Sequence, residues 1–260
     1  GSKMALRIIG PWILALVLLG LWEAAVFIGM INKILLPPPS DVFPAWIDML
    51  LSGELLRDVS ASVKRVSIGF FVAVAIGVPI GVLLNIFTKT ITDSVLGLVN
   101  FFRAIAPIAW ITIAIYLFGL GDKPAVFIVI IGAIFPIILN TYEGVSRVPV
   151  SYVNTARSLG ASHWIIIISV LYPAALPQIM TGLRIGLGLA WTSIIAAELV
   201  GSQSGLGYMI PTYALYLEYD NVLAEMMTIG LIGLAMNTAS YWAEKRLIPW
   251  SAKTMGTQQG

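Results

Sequence analysis

Long apolar runs separated by short polar segments make up most of the chain. Each run is 19 to 25 residues long and carries few charged residues. A helix of about 20 residues rises about 30 Å, which is the thickness of the hydrocarbon core of a membrane. The pattern therefore predicts an all-α, polytopic integral membrane protein with six transmembrane helices. The predicted spans cover residues 8–31, 66–86, 94–118, 124–142, 176–199 and 221–243.

The third run, residues 94–118, is interrupted by Pro107. Proline lacks the backbone N–H that would bond to the carbonyl of Arg103 four residues earlier, so we expect a kinked span. As a helix, the uninterrupted stretch from Ala106 to Phe118 would be only about 20 Å long. Arg103 is thus predicted to lie at or inside the membrane boundary.

Residues 165–200 fit two interpretations: one span over 176–199 after a surface segment, or two short spans. The tendency of basic residues to stay in the cytoplasm favours the first interpretation. With six spans, nine basic residues share one side: Lys3, Arg7, Lys89, Arg147, Arg157, Arg184, Lys245, Arg246 and Lys253. The other side holds five: Lys33, Arg57, Lys64, Arg65 and Lys123. Both termini are therefore predicted to be cytoplasmic.

Two local patterns add detail. Apolar residues at Val42, Trp46 and Met49 predict a short amphipathic helix over residues 41–52, lying at the membrane interface. Gly77 and Gly81 in the second run have the spacing that lets two helices approach closely. This contact is expected either within one subunit or at a dimer seam.

The polar connection over residues 143–175 is predicted to be cytoplasmic and to contain a helix that Pro149, at its first position, begins and Gly160 ends. A plain interfacial helix is one interpretation. Small residues around its end favour a docking element instead, because they would let a partner approach closely. These small residues are Ala156, Gly160, Ala161 and Ser162.

Composition restricts the chemistry further. Hydrophobic residues make up 58% of the chain, and 15 Lys and Arg oppose 13 Asp and Glu without forming a basic patch, so nucleic acid is not an expected partner. The absence of cysteine and the single histidine, His163, leave little for a metal site. No phosphate-binding glycine loop and no nucleophile triad occur, so we expect neither a catalytic residue nor a cofactor in this chain.

Charged residues inside apolar runs are the candidates for a translocation path. Glu23 and Glu198 sit within such runs, and each fits either a structural role or a polar path. Arg103 fits either a cytoplasmic anchor that reaches the lipid headgroups or a group facing the path. The candidate path residues are Arg103, Trp110 and Glu198.

One stretch of the polar connection resembles a known signature. Asn154-Thr155-Ala156-Arg157-Ser158-Leu159-Gly160, followed by Val170-Leu171-Tyr172-Pro173, resembles the cytoplasmic signature of ABC-importer permeases: Glu-Ala-Ala, three residues, Gly, nine residues, Ile-x-Leu-Pro. Ala156, Gly160 and Pro173 match this signature. Asn154, Thr155 and Tyr172 depart from it, so a salt bridge from the usual Glu is not carried over.

Other segments resemble the nitrate, sulfonate, taurine and bicarbonate branch of these permeases. They are Leu36-Pro37-Pro38-Pro39-Ser40-Asp41-Val42, Pro107-Ile108-Ala109-Trp110, Thr181-Gly182-Leu183-Arg184-Ile185-Gly186, and Ala197-Glu198-Leu199 with Gly205-Leu206-Gly207. The resemblance implies a type I permease subunit in a bacterial or archaeal cytoplasmic membrane, with residues 1–260 forming one permease domain. Its implied partners are a second copy of the permease, two cytoplasmic ATP-binding subunits that hold ATP and Mg, and an extracytoplasmic substrate-binding protein.

The resemblance also implies a role for the polar connection. Its helix would contact the ATPase subunit, and the transported solute would be a small anion. The expected contact residues are Tyr152, Asn154, Ala156, Arg157, Leu159, Gly160, Ala161 and Trp164. The alternative is an ion-coupled secondary transporter or channel-like protein that acts alone, and a membrane-embedded enzyme is a remote third interpretation.

Overall fold

The computed structural model describes the backbone of residues 2–248 and the side chains of residues 13–248. The described residues are almost entirely helical, and none of them lies in a β-strand, which confirms the predicted all-α class. The first half contains α1 (Ser2–Phe27), α2 (Pro39–Leu51), α3 (Glu54–Leu83), α4 (Lys89–Ala104) and α5 (Ile111–Phe118). The second half contains α6 (Asp122–Ser146), α7 (Val150–Ser158), α8 (His163–Ile166), α9 (Tyr172–Gly201), α10 (Leu206–Leu215) and α11 (Tyr219–Leu247).

The chain divides into two compact units. The first contains the residues up to Ala61 together with Ser204–Gly230, and the second contains Ser62–Gln203 and the chain from Leu231 onward. Helices α3 and α11 contribute residues to both units.

In the first unit, α1 and α2 are joined by polar contacts at the start of α2. The carboxylate of Glu23 accepts hydrogen bonds from the backbone N–H of Ser40 at 3.1 Å and from its hydroxyl at 2.7 Å. The indole N–H of Trp46 donates to Thr228 on α11 at 2.9 Å. Helix α2 confirms the predicted amphipathic helix. The hydrogen bonds of Glu23 to Ser40 join two helices, as a structural role for Glu23 requires.

In the second unit, close contact between α6 and α9 forms the core. A Cβ added at Gly182 on α9 would lie 2.7 Å from Cβ of Asn140 on α6. One added at Gly144 on α6 would lie 2.8 Å from Cβ of Gln178 on α9. Real Cβ atoms do not approach this closely, so the helices reach this separation because these positions are glycine.

Helix α3 packs on α6 through the glycine pair singled out in the sequence. Cβ atoms added at Gly77 and Gly81 would lie 2.9 Å from Ile137 Cγ2 and 2.6 Å from Thr141 Cβ. The Gly77–Gly81 spacing therefore serves packing within one subunit.

The third apolar run is bent much more sharply than a kinked span. Helix α4 ends at Ala104, a 3₁₀ turn covers Pro107–Trp110, and the helices on either side of the break meet at 88°. The ring of Pro107 disfavours helical geometry in the residue before it, and Ala106 accordingly adopts φ −57° and ψ 136°. The expected single span over 94–118 is therefore two short helices, which form either a broken span or a re-entrant loop.

Other boundaries also differ from the prediction. Within the described residues, four helices are long and apolar enough to cross a membrane, or five if the bent pair counts as one. The apolar part of α1 with described side chains, Ile13–Phe27, is shorter than a full span, so the count of six remains a prediction. Lys253, used in the charge count, lies outside the described residues.

The predicted loop over residues 143–175 is largely helical. Helix α6 continues to Ser146, Pro149 precedes α7 instead of occupying its first position, and helix resumes at His163. Proline is tolerated in the first turn of a helix, so Pro173 does not delay the start of α9 at Tyr172. Helix α10, between the last two predicted spans, was not predicted at all.

The glycine contact between α6 and α9 gives a stability prediction. We expect Gly182→Ala to lower the free energy of unfolding by about 1–3 kcal/mol, because the added methyl must push Asn140 aside. Gly188→Ala on the same helix meets nothing within 4 Å and is the matched control. The measurement is the temperature at which half of the purified protein remains soluble in detergent; equal values for the two variants would contradict the packing argument.

Candidate functional site

The segment from α7 to α8 exposes large apolar side chains. Leu159 is 84% exposed, Trp164 is 73% exposed and Tyr152 is 58% exposed. Gly160, between α7 and α8, has φ +80°, the left-handed conformation expected of a helix-ending glycine. These three bulky apolar side chains are thus exposed among polar neighbours such as Asn154 and Arg157.

The remaining predicted contact residues surround this surface. Asn154 and Arg157 are exposed, whereas Ala156 and Ala161 are half-buried. We call the eight residues together the coupling surface. They are Tyr152, Asn154, Ala156, Arg157, Leu159, Gly160, Ala161 and Trp164.

A groove of about 550 Å³ separates part of α7 from the start of α9. Its walls are mainly apolar side chains and methyl groups, and small residues line much of it. The lining residues are Tyr152, Thr155, Ala156, Leu159, Ser169, Val170, Pro173 and Ala174. The groove gives the coupling surface a concave part beside its protruding side chains.

Between α8 and α9 the backbone forms a π-helical turn over Ile167–Leu171. The N–H of Tyr172 donates to the carbonyl of Ile167, five residues earlier. Pro173 follows directly and has no N–H to give the preceding turn, which favours this wider hydrogen-bonding pattern at the junction.

The first two path candidates lie on either side of the sharp bend. Arg103 is exposed in the last turn of α4, and no described residue forms an ion pair with it. Trp110 ends the 3₁₀ turn, half-buried, with its ring centroid 6.0 Å from that of Phe102. Its indole N–H is buried without a hydrogen-bond partner among the described residues.

The third candidate, Glu198, is fully buried in a different setting. Its Oε1 lies 2.6 Å from Nη1 of Arg65, and the hydroxyl of Ser62 donates to the carboxylate at 2.8 Å and 2.9 Å. Nε of Arg65 also donates to Oδ1 of Asp122 at 2.7 Å. Arg65 thus joins α3 to the last turns of α9 and the first residue of α6.

The structure therefore does not bring the three path candidates together. Glu198 belongs to an ion cluster with Arg65 and Asp122, whereas Arg103 and Trp110 flank the bend. Sequence reasoning missed Arg65 as a functional residue and counted it as a loop charge. A signal was present, because Asp58, Ser62 and Arg65 recur at intervals of four and three and so share one face of a helix.

The first unit has its own buried acidic group. Asp58 and Glu225 are both fully buried, and the Asp58 carboxylate accepts a hydrogen bond from the backbone N–H of Gly205 at 3.3 Å. Burial raises the pKa of Tyr213 well above its usual range, and the neighbouring negative charges of Glu54, Glu225 and Asp58 add to this. The phenol therefore stays protonated throughout the physiological pH range.

The chain is similar to known transport proteins over most of its length. Residues 77–253 match the family described as binding-protein-dependent transport system inner membrane component. The chain is 39% identical over 199 residues to the bicarbonate transport system permease protein CmpB of Synechococcus elongatus, covering 76% of this chain and 71% of the relative. It is 30% identical over 239 residues to the taurine transport system permease protein TauC of Escherichia coli, covering 90% and 86%. These matches confirm the resemblance based on the signature residues.

A solved structure supports the same architecture. A chain of the MetNI methionine ABC transporter, in inward-facing conformations, matches with a TM-score of 0.65 at 22% sequence identity, covering 74% of this chain and 95% of that one. At this level of identity the likeness concerns the fold, which is that of a type I importer permease.

The buried ion cluster gives a second stability prediction. Arg65→Gln leaves Glu198 buried without its counter-charge, so we expect a loss of about 3–5 kcal/mol in the free energy of unfolding. The matched control is Arg147→Gln, which breaks an exposed pair with Glu143 and should cost no more than about 0.5 kcal/mol. Solubility after heating in detergent measures both. We also expect that adding Glu198→Gln to Arg65→Gln restores part of the lost stability. Equal stability of Arg65→Gln and Arg147→Gln would contradict the assignment.

Proposed function

We propose a transport mechanism from one established premise: the chain belongs to the family of binding-protein-dependent transport system inner membrane components. It is a multi-pass membrane permease of an ABC importer for small solutes, and its relatives are transport components, not enzymes. In the proposed mechanism this chain forms half of a translocation path and converts closure of ATP-binding subunits into alternating access. It does no covalent chemistry itself, and ATP with Mg is held by the partner subunits.

The observation that carries this proposal is the coupling surface. Leu159 exposes a large apolar side chain on a segment outside the helices that are long and apolar enough to cross a membrane, where an exposed apolar patch indicates a protein partner. Trp164 is also exposed, in the first turn of the candidate spanning helix His163–Gly201. The groove beside α7 offers a concave face for such a contact. The left-handed Gly160 reverses the chain without a side chain that would hold the partner away.

The family description, which names dependence on a binding protein, supports the remaining partners. In the proposed assembly two copies of this chain enclose the path, two ATP-binding subunits contact the two coupling surfaces, and a substrate-binding protein docks on the opposite side. The coupling surface and both termini face the cytoplasm of a bacterial or archaeal cell.

The proposed solute is a small anion. The names of two relatives refer to bicarbonate and to taurine, which carry a carboxylate-like and a sulfonate oxyanion. Arg103 is exposed beside the sharp bend and carries a positive charge. The indole N–H of Trp110, which has no hydrogen-bond partner in the part of the chain that the structure describes, lies on the other side of the same bend and adds a donor. A charge and a donor flanking interrupted backbone suit an oxyanion.

The competing function is a carrier or channel-like protein that acts alone. It predicts no requirement for the coupling surface, because ion gradients would act on groups inside the membrane. The two functions are therefore separated by changing the coupling surface alone.

The test of coupling uses Gly160→Val. A β-branched residue at φ +80° costs about 1–2 kcal/mol and places bulk at the docking face. We expect normal membrane insertion, loss of co-purifying ATP-binding subunits and loss of ATP-driven uptake in vesicles. Leu159→Ser, which introduces no backbone strain, should weaken co-purification in the same direction.

The chain supplies a matched control for the strain. Gly53 also has φ +80° and, like Gly160, nothing within 4 Å of an added Cβ, but it lies between α2 and α3, away from the coupling surface. Gly53→Val should therefore retain coupled uptake. Unchanged coupling in Gly160→Val would favour the stand-alone carrier.

The path assignment is tested at Arg103. Loss of a charge-assisted hydrogen bond to an anion should lower uptake about tenfold or more in Arg103→Gln, whereas Arg103→Lys should retain part of it. Uptake is compared at equal assembly and equal ATPase activity, with Lys89→Gln at the other end of α4 as the control. Uptake at the parent level in both Arg103 variants would mean that Arg103 is a membrane anchor.

A further inference from the structure

The last turns of α11 combine exposed aromatic and basic side chains. Tyr241 is 46% exposed and Trp242 is 61% exposed. The Nζ atom of Lys245 lies 4.5 Å from the ring centroid of Tyr241 and 5.9 Å from that of Trp242. The two rings thus hold the ammonium group by cation–π contact while leaving it exposed.

The nearby acidic residue does not neutralise this charge. Glu244 forms an ion pair with Arg184 on α9, with Oε2 3.2 Å from Nη1. Among the described residues, no carboxylate forms an ion pair with Lys245 or Arg246. The end of α11 therefore carries two uncompensated positive charges.

An open groove of about 570 Å³ lies along the same helix end. Its wall is apolar except for Arg246 at one end, and its lining residues are Ala239, Trp242, Ala243, Arg246 and Leu247. Helix α11 is long and apolar enough to cross a membrane, so its last turns lie where hydrocarbon meets headgroups. An apolar groove that ends in positive charge at this depth matches the chemistry of an acyl chain below an anionic headgroup.

We propose that the end of α11 is a binding site for an anionic phospholipid. The acyl chain lies in the groove against Trp242 and Leu247, and the headgroup phosphate contacts Lys245 and Arg246. Opposite charge selects the occupant, because a zwitterionic lipid offers the same acyl chain without net negative charge. The ion pair between Glu244 and Arg184 preserves the selectivity by keeping the Glu244 carboxylate away from the headgroup.

The absence of native cysteine permits a direct measurement. Ala243→Cys places a single thiol in the groove, where it is labelled with a fluorophore that brominated acyl chains quench. The assembled transporter is reconstituted in vesicles that contain phosphatidylcholine and phosphatidylglycerol in equal amounts. Bromine is carried by one lipid in one preparation and by the other lipid in the second. Leu16→Cys on α1, whose native side chain is 69% exposed, is the control position.

The expected result is stronger quenching at position 243 by brominated phosphatidylglycerol, with a preference of about fivefold for each basic side chain. Position 16 should show no preference. Changing both Lys245→Gln and Arg246→Gln should remove the preference at position 243 while leaving quenching by phosphatidylcholine. Equal quenching by both lipids in the parent, or a preference that survives the double change, overturns the proposal. Absence of quenching by either lipid means that protein covers the groove, and it overturns the proposal as well.

Discussion

The close approach of α6 and α9 is the contact on which the second unit depends. Glycines on both helices, Gly144 and Gly182, face side chains of the opposite helix at distances that no larger residue would permit. Helix α3 then packs on α6 through two further glycines. In a membrane the hydrophobic effect does not drive helices together, so van der Waals contact of this kind supplies much of the attraction. The part of α3 that belongs to the second unit therefore forms one tightly packed body with α6 and α9.

The low dielectric constant around these packed helices explains why most of their charged side chains have partners. Burying an ion is tolerated only when a counter-charge and hydrogen bonds accompany it, and Glu198 has both, from Arg65 and Ser62. Arg184 on the spanning helix α9 pairs with Glu244. Arg103 differs, since it has no ion-pair partner among the described residues and is exposed. An unpaired charge beside a broken helix is the reason for proposing a transport role for Arg103 and not for the paired ions.

Local sequence patterns predicted three features: the length of the apolar runs indicated the helical class, apolar spacing indicated α2, and glycine indicated the left-handed end at Gly160. Each of these depends on residues close together in sequence. Such patterns did not predict the 88° bend or α10, since a proline in an apolar run and a short helix between two spans give weak local signals. The partner of Glu198 was also missed: Arg65 is 133 positions away, and only the folded packing of α3 against α9 brings the two together. The spacing of Asp58, Ser62 and Arg65 places polar side chains on one face of α3, but it does not identify their partners.

The contacts at the two ends of the packed helices α6 and α9 constrain how the proposed coupling would work. At one end, α7 follows the last residue of α6, Ser146, and the chain returns to α9 through the π turn. At the other end, Arg65 binds both Asp122 on α6 and Glu198 on α9. Closely packed helices resist sliding because small shifts create clashes or voids. A force applied at the coupling surface would therefore move α6 and α9 together. The non-helical residues Ala161 and Ser162 and the π turn before Pro173 both interrupt regular α-helical hydrogen bonding, so in the proposed mechanism α7 would tilt there while the packed helices carry the motion across the membrane as a unit.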